Sequence, residues 1–117
     1  MIKAVCVGRT TYDINLSVPT SPEEGTTNEF FDTTGKVGGS AATVALCLSK
    51  WGVRTSIATI LGNDVNGNRI KKEFEKARID TRYIEPSYDI DTPISIIVNN
   101  ESSKKNTIYN VSSLDDN

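Results

Sequence analysis

The alternation of apolar and polar residues predicts three strands in the first third of the chain. Residues 2–7 are a short apolar run ended by Gly8, which is typical of a strand buried on both faces of a sheet. Residues 12–18 alternate apolar and polar side chains, which indicates a strand with one solvated face. Turn-forming residues 19–25 separate it from residues 26–34, which are predicted to return as a further strand.

A glycine-rich turn at residues 35–39 leads into the first predicted helix. Four following side chains have the spacing of one buried helical face, namely Ala41, Val44, Ala45 and Leu48. The helix is expected to end near Trp51, with Gly52 as its cap. Its first amide groups have no partner inside the helix, so they can hold hydroxyl groups or anions. The local pattern alone fits a ligand site and a simple corner equally well.

The second half of the chain continues the alternation of strand and helix. A strand is predicted at residues 54–60, followed by a turn and by a helix with Ile70, Phe74 and Ala77 on its buried side. The turn, residues 62–67, superficially resembles a calcium-binding loop, but its glycine falls too early and the closing glutamate is not in place.

The remaining β segments complete two predicted groups of strands. A parallel sheet is expected from residues 2–7, 54–60 and a short strand within 79–84. A separate β flap is expected from segments near 12–18, 26–34, 93–98 and 107–111, the last two forming a hairpin with a long loop.

Composition narrows the possible chemistry. The 117 residues carry a net charge of −2 without a basic patch, so nucleic acid is not an expected partner. The absence of histidine excludes Ser-His and Cys-His catalysis and histidine-bound metal within these residues. Cys6 and Cys47 lie in apolar runs and are expected to be buried, reduced thiols. Because no apolar run is long enough to serve as a signal peptide or to span a membrane, we expect a cytoplasmic protein without a membrane partner.

Three groups of residues occur in an order that one protein family shares. The first is Val7-Gly8, followed five positions later by Asp13. The second is the glycine pair and helix start of residues 38–45, and the third is residues 61–67, Leu-Gly-Asn-Asp-Val-Asn-Gly. Together they resemble the N-terminal portion of a carbohydrate kinase of the PfkB, or ribokinase-like, family.

The resemblance covers nearly the whole chain and implies an α/β fold. This would be a partial ribokinase-like, Rossmann-like parallel sheet flanked by helices, with a small β-sheet lid that closes over a sugar and often mediates dimerisation. Residues 1–117 would be the N-terminal part of the kinase domain, with lid segments near 12–34 and 91–111.

The resemblance also implies substrate-binding residues. Asp13 would bind sugar hydroxyls, because a carboxylate accepts hydrogen bonds from vicinal hydroxyls, and Gly38 and Gly39 would let the sugar approach the backbone. The family usually has asparagine where this chain has Thr43, whose single hydroxyl reaches less far, so either weaker sugar binding or a different substrate is expected. The position of Arg9, directly after Gly8, resembles the subgroup that acts on keto-deoxy sugar acids, in which a cation would suit the substrate carboxylate. The alternative is that Arg9 is an ordinary surface arginine in a loop.

The family places its catalytic base in a downstream Gly-Ala-Gly-Asp motif, together with most ATP contacts, and no such motif occurs here. No catalytic residue and no metal ligand is therefore expected in this chain, and the chain alone should be inactive. The parent protein is expected to use ATP and Mg²⁺ to phosphorylate a hydroxyl of a sugar or sugar acid. The alternatives are a nucleoside kinase of the same fold and a non-catalytic fragment that self-associates through its lid.

Overall fold

A computed structural model describes residues 3–110 of the chain. The segments of regular structure are β1 (Lys3–Val7), β2 (Thr11–Val18), β3 (Asp32–Gly38), α1 (Ser40–Lys50), β4 (Arg54–Gly62), α2 (Val65–Lys76), β5 (Ile84–Ser87), β6 (Ile94–Asn100) and β7 (Lys105–Asn110). They form two sheets, and the ends of the predicted segments at residues 2 and 111 lie outside the described residues.

We call the first unit the body; it consists of β1, β4, β5 and the two helices. Its sheet is parallel with strand order β1-β4-β5, as the pattern predicted. Both helices pack on the same face, because Ile57 and Leu61 of β4 share one buried cluster with α1 and α2. Phe74 and Ile70 of α2 are completely buried there, which confirms the predicted inner side of that helix.

Within residues 3–110, no helix covers the opposite face of the body sheet, which we call the bare face. Val5, Val7 and Ile60 point to it and are 60%, 76% and 54% exposed. The prediction that β1 is buried on both faces is therefore wrong. The apolar run is typical of a doubly covered strand, whereas β1 lies at the sheet edge and packs against α1 only through its other face.

We call the second unit the lid sheet; it has strand order β3-β2-β6-β7, so the four predicted flap segments do form one sheet apart from the body. β2 pairs with β3 antiparallel and with β6 parallel, and β6 and β7 form the predicted hairpin. The third strand runs over Asp32–Gly38 rather than residues 26–34. Its pairing with β2 extends from Ser17↔Asp32 to Thr11↔Gly38, so most of the supposed glycine turn is strand.

The strand expected within residues 79–84 begins five residues later, as β5. Ile79 is buried in the core, and Asp80 makes only an isolated bridge to Ser56. The carboxylate of Asp80 accepts a hydrogen bond from the amide of Arg82 at 3.0 Å, which forms a turn before the strand.

Helix α1 is less buried than its sequence predicts. It ends at Lys50 with Gly52 in a left-handed conformation behind it, close to the expected cap. However, Val44 is 51% exposed, because the helix contacts the sheet mainly through Ala41, Ala42 and Ala45. Cys47 lies on the same outward side and is exposed, so its predicted burial is wrong.

Candidate substrate site

A cavity of about 370 Å³ lies where the lid sheet meets the start of α1. Three of the residues singled out from sequence line it together: Arg9 and Asp13 from the segment after β1, and Gly39 before α1. The complete lining is Arg9, Thr11, Asp13, Gly39, Ser95, Ile97, Ile108 and Asn110. It combines a carboxylate, an amide and hydroxyl groups with two apolar side chains, which suits a small polyhydroxylated ligand.

Asp13 is positioned by the strand that carries it. The hydroxyl of Thr11 donates a hydrogen bond of 2.8 Å to Oδ1 of Asp13, and Oδ2 takes no part in that bond. In the sheet, Asp13 is the direct partner of Lys36 on β3 and of Ser95 on β6. Because cross-strand partners share a face, Lys36, Asp13 and Ser95 project to the same side of the lid sheet.

Gly38 and Gly39 are required for two different reasons. Gly38 belongs to β3, and a Cβ there would lie 2.6 Å from Cγ of Asp13. Gly39 has φ +94°, and a Cβ there would lie 2.9 Å from Cα of Thr10 and still closer to the carbonyl of Arg9. The actual turn is therefore at Gly39, whereas Gly38 leaves space for the Asp13 carboxylate.

Ser95 and Asn110 are site residues that the sequence analysis missed. They are cross-strand partners on β6 and β7, and the hydroxyl of Ser95 donates to Oδ1 of Asn110 at 2.6 Å. This bond orients the amide so that its NH₂ group remains available as a donor. The sequence predicted the hairpin of β6 and β7. It did not predict which of their residues face the cavity, because that depends on the register of β6 with β2.

Thr43 lies one turn into α1, where its amide donates to the carbonyl of Gly39 at 2.9 Å. It is exposed and is not part of the cavity lining among residues 3–110. Arg9 does line the cavity and supplies the carbonyl against which Gly39 packs. The structure thus groups Arg9, Asp13, Gly38 and Gly39, and places Thr43 beside rather than in this group.

A second cavity, of about 500 Å³, opens on the bare face of the body. It is lined mostly by apolar groups from the ends of β1 and β4 and from residues 83–93. Thr10 also contributes to it, and the Thr10 hydroxyl is buried without a hydrogen-bond partner in the described part of the chain. Because it offers few polar groups, this cavity is a poorer candidate for a sugar.

The turn at residues 62–67 supplies the N-terminal cap of α2. The carboxylate of Asp64 caps α2 by accepting a hydrogen bond of 2.7 Å from the amide of Gly67. Across residues 3–110 there is no group of three or more acidic or cysteine side chains placed to hold a metal ion. Neither α1 nor α2 has the length and apolar character of a helix that crosses a membrane.

Solved structures with a similar fold include two kinases. An Arabidopsis thaliana ribokinase, solved with ribose and ATP, superposes with a TM-score of 0.81 at 24% identity, over 94% of this chain and 35% of its own. A nucleoside kinase from Methanocaldococcus jannaschii superposes with a TM-score of 0.80 at 23% identity, over 95% of this chain and 37% of its own. These superpositions confirm the predicted ribokinase-like fold.

Sequence comparison agrees with the fold. A nucleoside kinase from Methanothermobacter thermautotrophicus is 30% identical over 94 residues, which are 80% of this chain and 30% of that protein. The chain thus spans only about a third of the length of these relatives. A family model described as pfkB family carbohydrate kinase matches residues 1–117, so the chain belongs to the pfkB family of carbohydrate kinases.

Proposed function

We propose that the chain is the sugar-binding and lid portion of an ATP-dependent kinase that phosphorylates a hydroxyl of a sugar or sugar acid. The observation that carries this proposal is the cavity that Arg9, Asp13 and Gly39 line together. Asp13 would accept hydrogen bonds from two neighbouring hydroxyls, and the amide of Asn110 would donate one from the opposite strand. Arg9 would favour a ligand that carries a carboxylate.

The glycines support the proposal because they shape this site. Gly38 lets the Asp13 carboxylate lie against the backbone, and Gly39 lets the ligand approach the first turn of α1. Thr43 would contact the ligand only from the next turn of the helix. Ile97 and Ile108 form an apolar wall that would exclude water from the bound sugar.

The residues present do not fit ATP and Mg²⁺ by themselves. Within residues 3–110 no cluster of carboxylates is placed to hold the metal ion, and the glycine segment forms a strand instead of a phosphate-binding loop. We propose that the parent protein uses ATP and Mg²⁺ through groups outside this chain. The 117 residues alone would then bind substrate without transferring a phosphoryl group.

Ligand binding to the 117-residue chain tests the proposal directly. Calorimetric titration with D-ribose and with a 2-keto-3-deoxy sugar acid is expected to give saturable binding of one of them, because the cavity is preformed. Asp13→Asn should abolish that binding. Asp32→Asn is the matched control, because Asp32 lies on β3 outside the cavity and its Oδ1 only accepts from the amide of Thr33. Binding that survives Asp13→Asn, or ADP release by the chain alone, would contradict the proposal.

A nucleoside substrate is the second candidate, favoured by the similarity to the Methanothermobacter nucleoside kinase. The apolar wall of Ile97 and Ile108 also suits a nucleobase. Adenosine, titrated against the same chain and the same two variants, separates the candidates. Binding of adenosine with no response to either sugar would assign the site to a nucleoside.

We also propose that the parent protein forms a homodimer through the lid sheet. The support is that, among residues 3–110, β3 and β7 each have a strand neighbour on one side only, and that Tyr109 on β7 is 63% exposed. Tyr109 alternates with the cavity-facing Ile108, so its substitution leaves the candidate site in place. Sedimentation of Tyr109→Lys should show a weaker dimer than the unmodified chain, and an unchanged dimer would overturn this proposal.

A further inference from the structure

The body and the lid sheet are joined by three segments of chain: residues 8–10, Gly38 to Gly39, and residues 88–93. The first two border the candidate cavity. The third runs from the end of β5 to the start of β6 and passes over the turn that begins α2. This third segment is fixed to the body by an unusual concentration of hydrogen bonds on one side chain, that of Asp64.

The carboxylate of Asp64 accepts three hydrogen bonds from two separate parts of the chain. The amide of Gly67 and the hydroxyl of Thr92 each donate to Oδ1 at 2.7 Å, and the amide of Thr92 donates to Oδ2 at 2.8 Å. Thr92 is only 5% exposed, and its hydroxyl oxygen accepts from the amide of Gly62 at 2.9 Å. One carboxylate therefore binds the body and the lid connection together.

The backbone around Asp64 and Thr92 is packed so closely that Gly62 and Gly67 have no room for a side chain. A Cβ at Gly62 would lie 2.5 Å from the Thr92 amide nitrogen and 2.6 Å from Oδ2 of Asp64. A Cβ at Gly67 would lie 2.9 Å from the Thr92 hydroxyl and would collide with the Gly62 carbonyl. Both glycines are therefore needed for Thr92 to reach the carboxylate, and each packs directly against the lid connection.

The connection continues from Thr92 into β6, the strand that carries the site residue Ser95. The next residue, Pro93, is buried and has a restricted backbone, and its carbonyl accepts a hydrogen bond of 2.9 Å from the amide of Tyr12. Tyr12 pairs with Ile94, and the neighbouring Asp13 pairs with Ser95. A displacement of Thr92 would therefore move the strands that carry Asp13 and Ser95.

We propose that Asp64 is a positioning residue that fixes the orientation of the lid sheet on the body, by holding Thr92 at the start of β6. Other side-chain contacts also join the two units: the guanidinium of the exposed Arg69 lies 5.8 Å from the ring centroid of Tyr12, and Tyr12 and Val37 pack against the core of the body. These contacts are cation–π or apolar, so they constrain the direction of the lid sheet less than the directional hydrogen bonds of Asp64 do. The orientation of the lid sheet does not depend on a bound substrate, whereas its consequence for substrate binding rests on the proposed function.

The test measures lid orientation without any ligand. Spin labels are attached at Lys72→Cys on α2 and Lys105→Cys on β7, both exposed, in a chain that also carries Cys6→Ala and Cys47→Ser. Pulsed electron paramagnetic resonance then gives the distribution of distances between lid and body. The doubly labelled chain in which Asp64 and Thr92 are unchanged should give one narrow distribution of distances. Asp64→Asn should broaden it, because the Nδ2 group that replaces one carboxylate oxygen cannot accept a hydrogen bond, so one of the two bonds from Thr92 is lost.

Two comparisons separate positioning from a general loss of stability. Asp80→Asn is the matched control, since Asp80 also accepts a backbone hydrogen bond and pairs with Arg82 at 2.8 Å but lies wholly in the body. It should leave the distribution narrow. Thr92→Val, which removes the hydroxyl, should broaden the distribution, and Thr92→Ser should restore it. A narrow distribution in either Asp64→Asn or Thr92→Val, or equal broadening in Asp80→Asn, would overturn the proposal.

The same variants distinguish this proposal from the proposed function. If the sugar-binding assignment is wrong, no sugar binds to any variant, yet Asp64→Asn still broadens the distance distribution. If the positioning role is wrong, sugar binds and the distances in Asp64→Asn match those of the unmodified site. If both hold, sugar affinity falls in Asp64→Asn and Thr92→Val and is retained in Asp80→Asn and Thr92→Ser.

Discussion

The carboxylate of Asp13 lies against the Cα of Gly38, so that a Cβ at position 38 would be 2.6 Å from Cγ of Asp13. The two residues are diagonal neighbours on paired strands, since Gly38 is opposite Thr11 and Asp13 is opposite Lys36. The position of the acidic side chain in the cavity therefore depends on the absence of a side chain on the neighbouring strand. The next prediction tests this dependence.

Replacing Gly38 by alanine should lower the free energy of unfolding by about 1–3 kcal/mol, because the added methyl group overpacks against Asp13. In an Asp13→Ala background the same substitution should cost less, since the colliding carboxylate is gone. Urea unfolding of the two single variants and the double variant measures the coupling. Additive effects would show that Asp13 and Gly38 do not constrain each other.

Thr10 and Thr92 provide a matched pair of buried hydroxyl groups. Thr10→Val should leave stability unchanged or raise it, because the hydroxyl is buried without a hydrogen-bond partner in the described structure. Thr92→Val should cost about 1–3 kcal/mol, since the Gly62 amide loses its acceptor and Oδ1 of Asp64 loses one of its two donors. Thermal and urea unfolding measure both. Destabilisation by Thr10→Val as large as that by Thr92→Val would contradict this reading.

The acid sensitivity of folding should depend on Asp64. Burial tends to raise the pKa of Asp64, but the hydrogen bonds from Thr92 and Gly67 outweigh it and hold the pKa below its usual value. The folded pKa thus lies below the unfolded pKa, and the stabilisation is present above the unfolded value of about 3.9. It is lost as the pH falls through the folded pKa.

The stability difference between the unmodified chain and Asp64→Asn should therefore be constant above about pH 5 and shrink as the pH falls below about 4. Urea unfolding across pH 3–7 measures it. Glu24→Gln, in the exposed loop before β3, is the control and should not change the pH profile. A difference that stays the same down to pH 3 would show that the Asp64 charge contributes nothing.

The bare face of the body should drive association of the isolated chain beyond a dimer. Val7→Lys places a charge on this face and should lower the mass that light scattering measures at high concentration. Val65→Lys is the control, because Val65 is similarly exposed, at 65%, but lies on α2. Equal effects of the two substitutions would mean that overall charge, and not this face, controls association.

The sequence by itself determined the order of helices and strands and the family, although β3 and β5 lie several residues beyond their predicted positions. Hydrophobic spacing placed α2 and its inner residues Ile70 and Phe74 correctly, because a helix buries one face wherever its partner lies. Local patterns also separated the lid segments from the body strands. The order of Gly8, Asp13 and the glycine pair was enough to indicate the fold, through its resemblance to the family.

Only the tertiary structure decided which of these residues meet. The pairing of Asp13 with Ser95, and of Ser95 with Asn110, depends on the register of strands far apart in sequence, and a shift of one residue would turn each side chain to the other face. The exposure of Val7 follows from the position of β1 at the sheet edge, and the role of Asp64 follows from the path of residues 88–93 over α2. Periodicity describes the faces of one element, whereas these features arise from contacts between elements.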